Sequence, residues 1–101
     1  KLLAYQIEFA KQVKAHLDDL TATQRSTVLD AIEHQLTNEP STQTRNRKPL
    51  RPNPIAPWEL RVGELRVFYE VSVDPPAVVH VLAVGIKTRS TLRIGGEEIK
   101  L

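Results

Sequence analysis

The sequence contains no cysteine. A disulfide framework and a thiolate metal site are therefore excluded, and a small secreted scaffold held by bridges is not expected. No apolar run approaches the length of a membrane span, and no signal-peptide pattern opens the chain. The first residue is Lys1 and not methionine, which leaves the natural start open. There is no internal repeat and no sign of a second core. The 101 residues, 1–101, thus read as one small domain. Metal-ligand spacing is missing too. His16 and His34 fall in helical stretches, and neither has a second ligand four residues on. His80 lies in an apolar run and reads as a satisfied core or edge histidine.

What is there is ordinary in amount and uneven in placement. Apolar residues make up 41% and charged residues 26%, as in a soluble globular protein. The net charge of +2 hides an asymmetry. Residues 1–40 hold four Lys/Arg and six Asp/Glu, whereas residues 41–101 hold ten and six. Between Ser41 and Arg66 lie Arg45, Arg47, Lys48, Arg51, Arg61 and Arg66, against Glu59 and Glu64. A basic patch confined to one part of a fold suggests a polyanionic partner, and arginine's planar fork suits phosphate.

Taken in order, Leu2 to Phe9 alternates Leu3, Tyr5, Ile7 and Phe9 against polar residues, which predicts a half-buried strand. Ala10 to Leu20 changes to helical spacing, with Phe9, Val13, Leu17 and Leu20 on one face. Asp18 and Asp19 sit unfavourably near its C-terminal end, so that end is expected to be loose. Thr21 and Gln24 form a capping-box pattern, which predicts a second helix to about Leu36 with the stripe Val28, Leu29, Ile32 and Leu36. Residues 37–57 have no periodicity and carry five prolines, so neither a helix nor a central strand is expected there. Leu50, Ile55 and Trp58 should hold this basic arm against the body. Val78 to Val84 is almost wholly apolar and reads as the sheet centre, ended by Gly85. A short last strand is expected over Thr91 to Ile94, before Gly95 and Gly96 and a tail with Ile99 and Leu101.

The most informative stretch is Trp58 to Val71, W-E-L-R-V-G-E-L-R-V-F-Y-E-V. Two runs of period two meet at Gly63-Glu64, a Gly-X hairpin loop. That loop sets Val62 opposite Leu65, Arg61 opposite Arg66, Leu60 opposite Val67 and Trp58 opposite Tyr69. One face is then apolar, and the other carries two arginines directly opposed. Like charges facing across a sheet cost stability, which suggests an anion between them. Glu59 shares their face and reads as a salt-bridge partner or a general base.

Strand, helix, helix, long basic loop and three further strands, with this hairpin and V-G-I-K at 84–87, resemble the RelE/ParE superfamily of toxins from bacterial type II toxin–antitoxin systems. The resemblance covers essentially the whole chain. It implies an α+β, RelE-like fold, with an N-terminal strand, a helical hairpin and antiparallel strands in one twisted sheet packed on the helices. It also implies a cytoplasmic protein without a membrane partner, a metal or a cofactor, neutralised by a cognate antitoxin. RelE-type members cut mRNA on the ribosome, as the RNA's own 2′-hydroxyl attacks. ParE-type members poison DNA gyrase. The resemblance places Arg66 at the phosphate-binding arginine of the sheet and Arg61 at a further basic position. Lys87 or Arg89 falls near the arginine that stabilises the scissile phosphate. Glu59 joins these four as a catalytic candidate, and Arg45, Arg47, Lys48, Arg51 and Arg93 are the expected RNA-binding set. Pro57 and Glu59 stand nearest to two lysines that RelE-type nucleases carry, and Arg93 stands nearest to a C-terminal tyrosine. These departures keep two other readings open, a non-nucleolytic toxin and a toxin-like domain without activity.

Overall fold

The computed structural model describes residues 4–100. Its elements are β1 (Gln6–Phe9), α1 (Val13–Asp18), α2 (Ala22–Leu36), β2 (Arg47–Pro49), β3 (Trp58–Val62), β4 (Leu65–Ser72), β5 (Val78–Thr88), β6 (Thr91–Ile94) and β7 (Glu97–Ile99). The expected start of the first strand, Leu2 and Leu3, lies outside the described residues, as does Leu101.

One sheet runs in the order β2-β3-β4-β5-β6-β7, with β1 parallel to the first part of β5. The hairpin register is the one that Gly63 dictates: Arg61 pairs with Arg66 and Trp58 with Tyr69, and Gly63 has φ +60°. Alternation then gives each face its chemistry. Leu60, Leu65, Val67, Tyr69, Val79, Val81 and Val84 join Val13, Leu20, Val28, Ile32 and Leu36 in the core beneath the helices. Trp58 stacks on Tyr69 with ring centroids 6.1 Å apart, and the buried Tyr69 hydroxyl donates to the Pro40 carbonyl at 2.7 Å. On the opposite face Phe68, Ala83, Leu92 and Ile94 form a second cluster under Leu50, Ile55 and Ala56 of the proline-rich loop. Asn53 holds that loop in shape: its Oδ1 accepts from the N–H groups of Ile55 and Ala56 at 2.8 and 3.0 Å.

Strand β5 is longer than the sequence suggests, because Gly85 does not end it. A side chain at Gly85 would run into the Arg93 carbonyl and the Ile94 side chain of β6. The glycine marks a close approach of two strands. Leu82 is the extra residue of a β-bulge, since Phe68 pairs with Ala83 but Tyr69 with Val81. Here β5 also changes its other neighbour, from β1 to β6. Side chains of α1 fill the gap. Gln12 Nε2 donates to the Leu82 carbonyl at 3.0 Å, and His16 Nδ1 accepts from the Val84 N–H at 3.3 Å.

Three further expectations need correction. The first helix is only Val13–Asp18, and its end is fastened, because Arg25 donates to the Leu17 and Leu20 carbonyls at 3.0 and 3.1 Å. Phe9 and Leu29, read as buried, are 47% and 36% exposed. The loop 37–57 is interrupted by a three-residue strand, β2, which lies at the sheet edge and so agrees with the exclusion of a central strand; Pro49 costs no ladder bond on the open side. The tail forms a final strand, β7, which three residues with two adjacent glutamates did not announce. Thr21 and Gln24 do form the capping box.

Candidate functional site

Residues paired directly across strands share a face, so the sheet collects its cations without help from any loop. Lys48 pairs with Glu59, Arg61 with Arg66, and Arg66 with Gly85, two residues before Lys87. All project from the face opposite the helices. Glu59 sits among them, only 5% exposed. Arg61 Nε lies 3.5 Å and Lys48 Nζ 3.9 Å from its Oε1. These are ion-pair distances, and Oε1 itself is buried without a hydrogen-bond partner. Beside it opens a cleft of about 490 Å³, walled by Glu59, Lys87, Ser90, Thr91, Leu92 and Glu98, with Ile99 and Lys100. A carboxylate and an ammonium thus border the same space.

The opposed arginines avoid each other. Arg61 turns to Glu59. Arg66 Nη1 donates to the Gly63 and Leu65 carbonyls of its own hairpin turn, at 2.6 and 2.9 Å. Each arginine thus has protein partners of its own on this face. One donor stays unused, because Arg66 Nε is buried and has no partner. Burial lowers the Arg66 pKa from its usual value; Glu59 raises it, while Arg61 lowers it. An incoming anion would supply the missing acceptor and further negative charge.

The other expected residues scatter. Arg89 occupies the two-residue turn between β5 and β6 and adopts φ +58°, a left-handed conformation that costs a non-glycine residue about 1 kcal/mol. It is exposed at the rim of the cleft, beside Ser90. Arg93 pairs with Ile86 and so belongs to the other face of the sheet. Arg47 also lies on the helix side, paired with Leu60. It is a structural clip, donating to the Gln35 carbonyl at the end of α2 at 2.6 Å and to the Thr42 carbonyl at 3.1 Å. Arg45 and Arg51 are exposed, and Arg51 borders a second cleft, of about 400 Å³, along Lys48 to Asn53. Of the expected RNA-binding set, Lys48 alone is brought into the cluster around Glu59.

Proton-transfer groups are scarce here. The Tyr69 hydroxyl is buried and its pKa raised by desolvation. His80 Nδ1 lies 3.4 Å from Glu8, His34 Nδ1 2.8 Å from the Asp30 carbonyl, and His16 serves the Val84 N–H. Glu59, Lys87, Glu98 and Lys100 are what remains at the cleft, and of these Glu59 alone is buried. Among the described residues no group of three or more His, Asp or Glu side chains could hold a metal ion. No helix of the described residues is long and apolar enough to cross a membrane. Sequence reasoning missed Ser90, Thr91, Glu98 and Lys100 as walls of the cleft. The turn at 89–90 was a readable signal for the first two, but the last two depend on β7.

Comparison with known proteins follows from this geometry. A structural match is the toxin–antitoxin complex RelBE2 from Mycobacterium tuberculosis, with a TM-score of 0.73, 24% identity, and 86% of this chain and 95% of that chain covered. At that identity the match establishes the RelE-like α+β fold. Among curated proteins nothing matches. The family model described as the ParE toxin of the type II toxin–antitoxin system parDE matches residues 7–90. The match spans β1 through the turn that holds Arg89, and the chain therefore belongs to the ParE toxin family of the RelE/ParE superfamily.

Proposed function

We propose that this toxin stops translation by cutting mRNA on the ribosome, using the cationic sheet face and the cleft beside it. The observation that carries the reading is the buried carboxylate of Glu59 at one wall of a cleft with Lys87 at another, flanked by Lys48, Arg61 and Arg66. In this reading the 2′-hydroxyl of a bound nucleotide attacks the adjoining phosphorus. Glu59 accepts the hydroxyl proton, and Lys87 gives a proton to the departing 5′-oxygen. The P–O5′ bond breaks and a 2′,3′-cyclic phosphate remains. Arg61, Lys48 and the unused donor of Arg66 face the charge that grows on the equatorial oxygens. Arg45 and Arg51 would guide the strand, and Arg89, kept at a strained φ, would touch it from the turn. Arg47 and Arg93 have no part in it. The partner that neutralises the toxin is a cognate antitoxin, and the RelBE2 match is itself a toxin–antitoxin complex.

Glu59→Gln tests this directly. A lost general base typically lowers a rate by about 10²- to 10⁴-fold. Growth arrest on expression and new mRNA 5′ ends should therefore both disappear while the variant stays folded, with a melting temperature lowered by the loss of the carboxylate that holds Arg61 and Lys48. Persistent cleavage by the variant would overturn the reading.

A second reading follows from the family matched, the ParE toxins, together with the pinning of Glu59 between two cations. In it the same face holds a carboxylate-rich surface of a protein target such as DNA gyrase. Inhibited supercoiling with intact mRNA would establish it. Expression without any growth defect would instead mean a toxin-like domain that has lost activity.

A further inference from the structure

Strand β5 loses one neighbour before it gains the next. On the β1 side its last bond is the Ala10 N–H donating to the Val81 carbonyl at 2.8 Å, and its first residue paired with β6 is Gly85. Between them Leu82, Ala83 and Val84 meet no strand on that side among the described residues. Two side chains of α1 stand in for one, Gln12 Nε2 at the Leu82 carbonyl and His16 Nδ1 at the Val84 N–H. The two are not equivalent. An amide keeps its donor at every pH, whereas an imidazole accepts through Nδ1 only while that nitrogen carries no proton.

The far end of the sheet is seated on this contact. The His16 ring is half-buried, and the Gly95-Gly96 turn that joins β6 to β7 lies against it: a Cβ on Gly95 would meet the ring, and one on Gly96 the Asp19 carboxylate. Gly85, the residue after Val84, passes so near to β6 that a Cβ there would run into the Arg93 carbonyl. A shift of the Val84 backbone is thus handed to β6 without slack. On its open side the ring borders a groove of about 310 Å³ between α1, the proline-rich loop and β7, so it has room to move. The hairpin and the residue after it supply Thr91, Leu92, Ile99 and Lys100 as walls of the cleft that Glu59 and Lys87 border.

We propose that His16 is a proton-operated latch: the neutral ring seats the β6–β7 hairpin and keeps that wall of the cleft in place, and protonation releases both. Once Nδ1 bears a proton, two donors face each other at Val84, and the strand N–H loses its acceptor. The new cation is drawn to Asp19, the charged side chain that acts on it. Its other surroundings carry no charge: Gln12 of α1, Ile55 of the proline-rich loop, Leu82 of β5, Ile94 of β6 and Ile99 of β7. Burial lowers the pKa of His16 from 6.5, and Asp19 raises it by less. The latch therefore holds above that pH and opens as pH falls below it. It does so whether the cleft takes RNA or a protein.

Nuclear magnetic resonance of the full chain tests this. The Val84 amide and the His16 ring nitrogens should titrate together, with one midpoint below 6.5. Amide exchange in residues 91–99, corrected for its intrinsic pH dependence, should quicken about tenfold or more between about pH 7.5 and about pH 5.5. The Lys87 and Thr91 resonances should shift over the same range. Amides of Val28 and Ile32 in α2 should not follow. His16→Asn, an acceptor with no proton to gain, should keep the hairpin protected at both pH values, and His34→Asn should change nothing. Equal loss of protection in α2 and in the hairpin would mean general destabilisation, and overturns the latch. A Val84 amide that ignores the titration of His16 overturns it as well, as does a hairpin that loosens just as much in His16→Asn. Should that variant fail to fold, the unaltered chain still decides, because the Val84, His16 and hairpin midpoints must coincide in it.

Discussion

The imidazole of His16 holds a backbone N–H that no strand reaches, and it can do so only while Nδ1 is unprotonated. Burial lowers its pKa from 6.5, with Asp19 pulling the other way. The Gly95-Gly96 turn closes over both side chains: a Cβ on Gly95 would lie 3.2 Å from the His16 ring, and one on Gly96 3.5 Å from the Asp19 carboxylate. In the unfolded chain the ring takes up its proton at a higher pH than in the fold. The contribution of His16 to stability is thus complete above the unfolded pKa and is lost as pH falls from there through the folded one. Urea midpoints should therefore fall as pH drops through and below 6.5. His16→Asn, which keeps an acceptor without a proton to gain, should flatten that dependence. Arg89 is the reverse case, a residue that the fold would be better without. Arg89→Gly should raise the unfolding free energy by about 0.5 to 1 kcal/mol, since glycine accepts φ +58° freely. Under the RNA reading the same variant should lose toxicity, and a stabilised yet fully toxic protein would remove Arg89 from the site.

Among the elements, α1 is too short to stand on its own. It persists because Val13 and Leu20 are buried and because Arg25 reaches back from α2 to its last carbonyls. Arg25→Ala should cost about 2 kcal/mol in denaturant unfolding, the range for hydrogen bonds from a charged donor. Hydrogen exchange should locate the loss in residues 13–20. The hairpin Trp58 to Val71 was legible in full, because period two and one glycine determine register and face together. Three features were not. Gly85 reads as a stop, since a sequence cannot say that another backbone will pass close by. Leu29 fits the helical stripe, but nothing in the pattern shows that the sheet ends before reaching it. The partners of Arg66 are carbonyls of its own turn, and backbone acceptors leave no mark in a sequence. Hence the strand with the opposed arginines was legible, and the carbonyls that hold Arg66 were not.

For the whole molecule, the charge asymmetry read from the chain becomes an asymmetry between the two sides of one sheet. Helices with the acidic balance cover one side, and Lys48, Arg61, Arg66 and Lys87 stand on the other. Such a layout orients an approaching polyanion before contact. If those four cations each neutralise one phosphate, log affinity for single-stranded RNA should fall with log salt at a slope of about −3. Filter binding or fluorescence anisotropy across a salt series would measure it. Arg93→Gln, on the far face, should leave the slope unchanged, and Lys87→Gln should reduce it by about 0.7. Equal effects from both would mean that RNA does not distinguish the faces.

The bulge at Leu82 has a consequence for how such a gene can change. Along a strand every side chain's face is counted from the last irregularity. Loss of the single codon for Leu82 would restore an unbroken count between β4 and β5. Val81 and Ala83 would become neighbours, with Val81, Val84 and Ile86 still on the core side and Ala83, Gly85 and Lys87 still on the cationic side. A three-nucleotide deletion at this one place would leave both faces as they are, whereas the same deletion at Gly85 would turn Ile86 to the cationic side and Lys87 into the core.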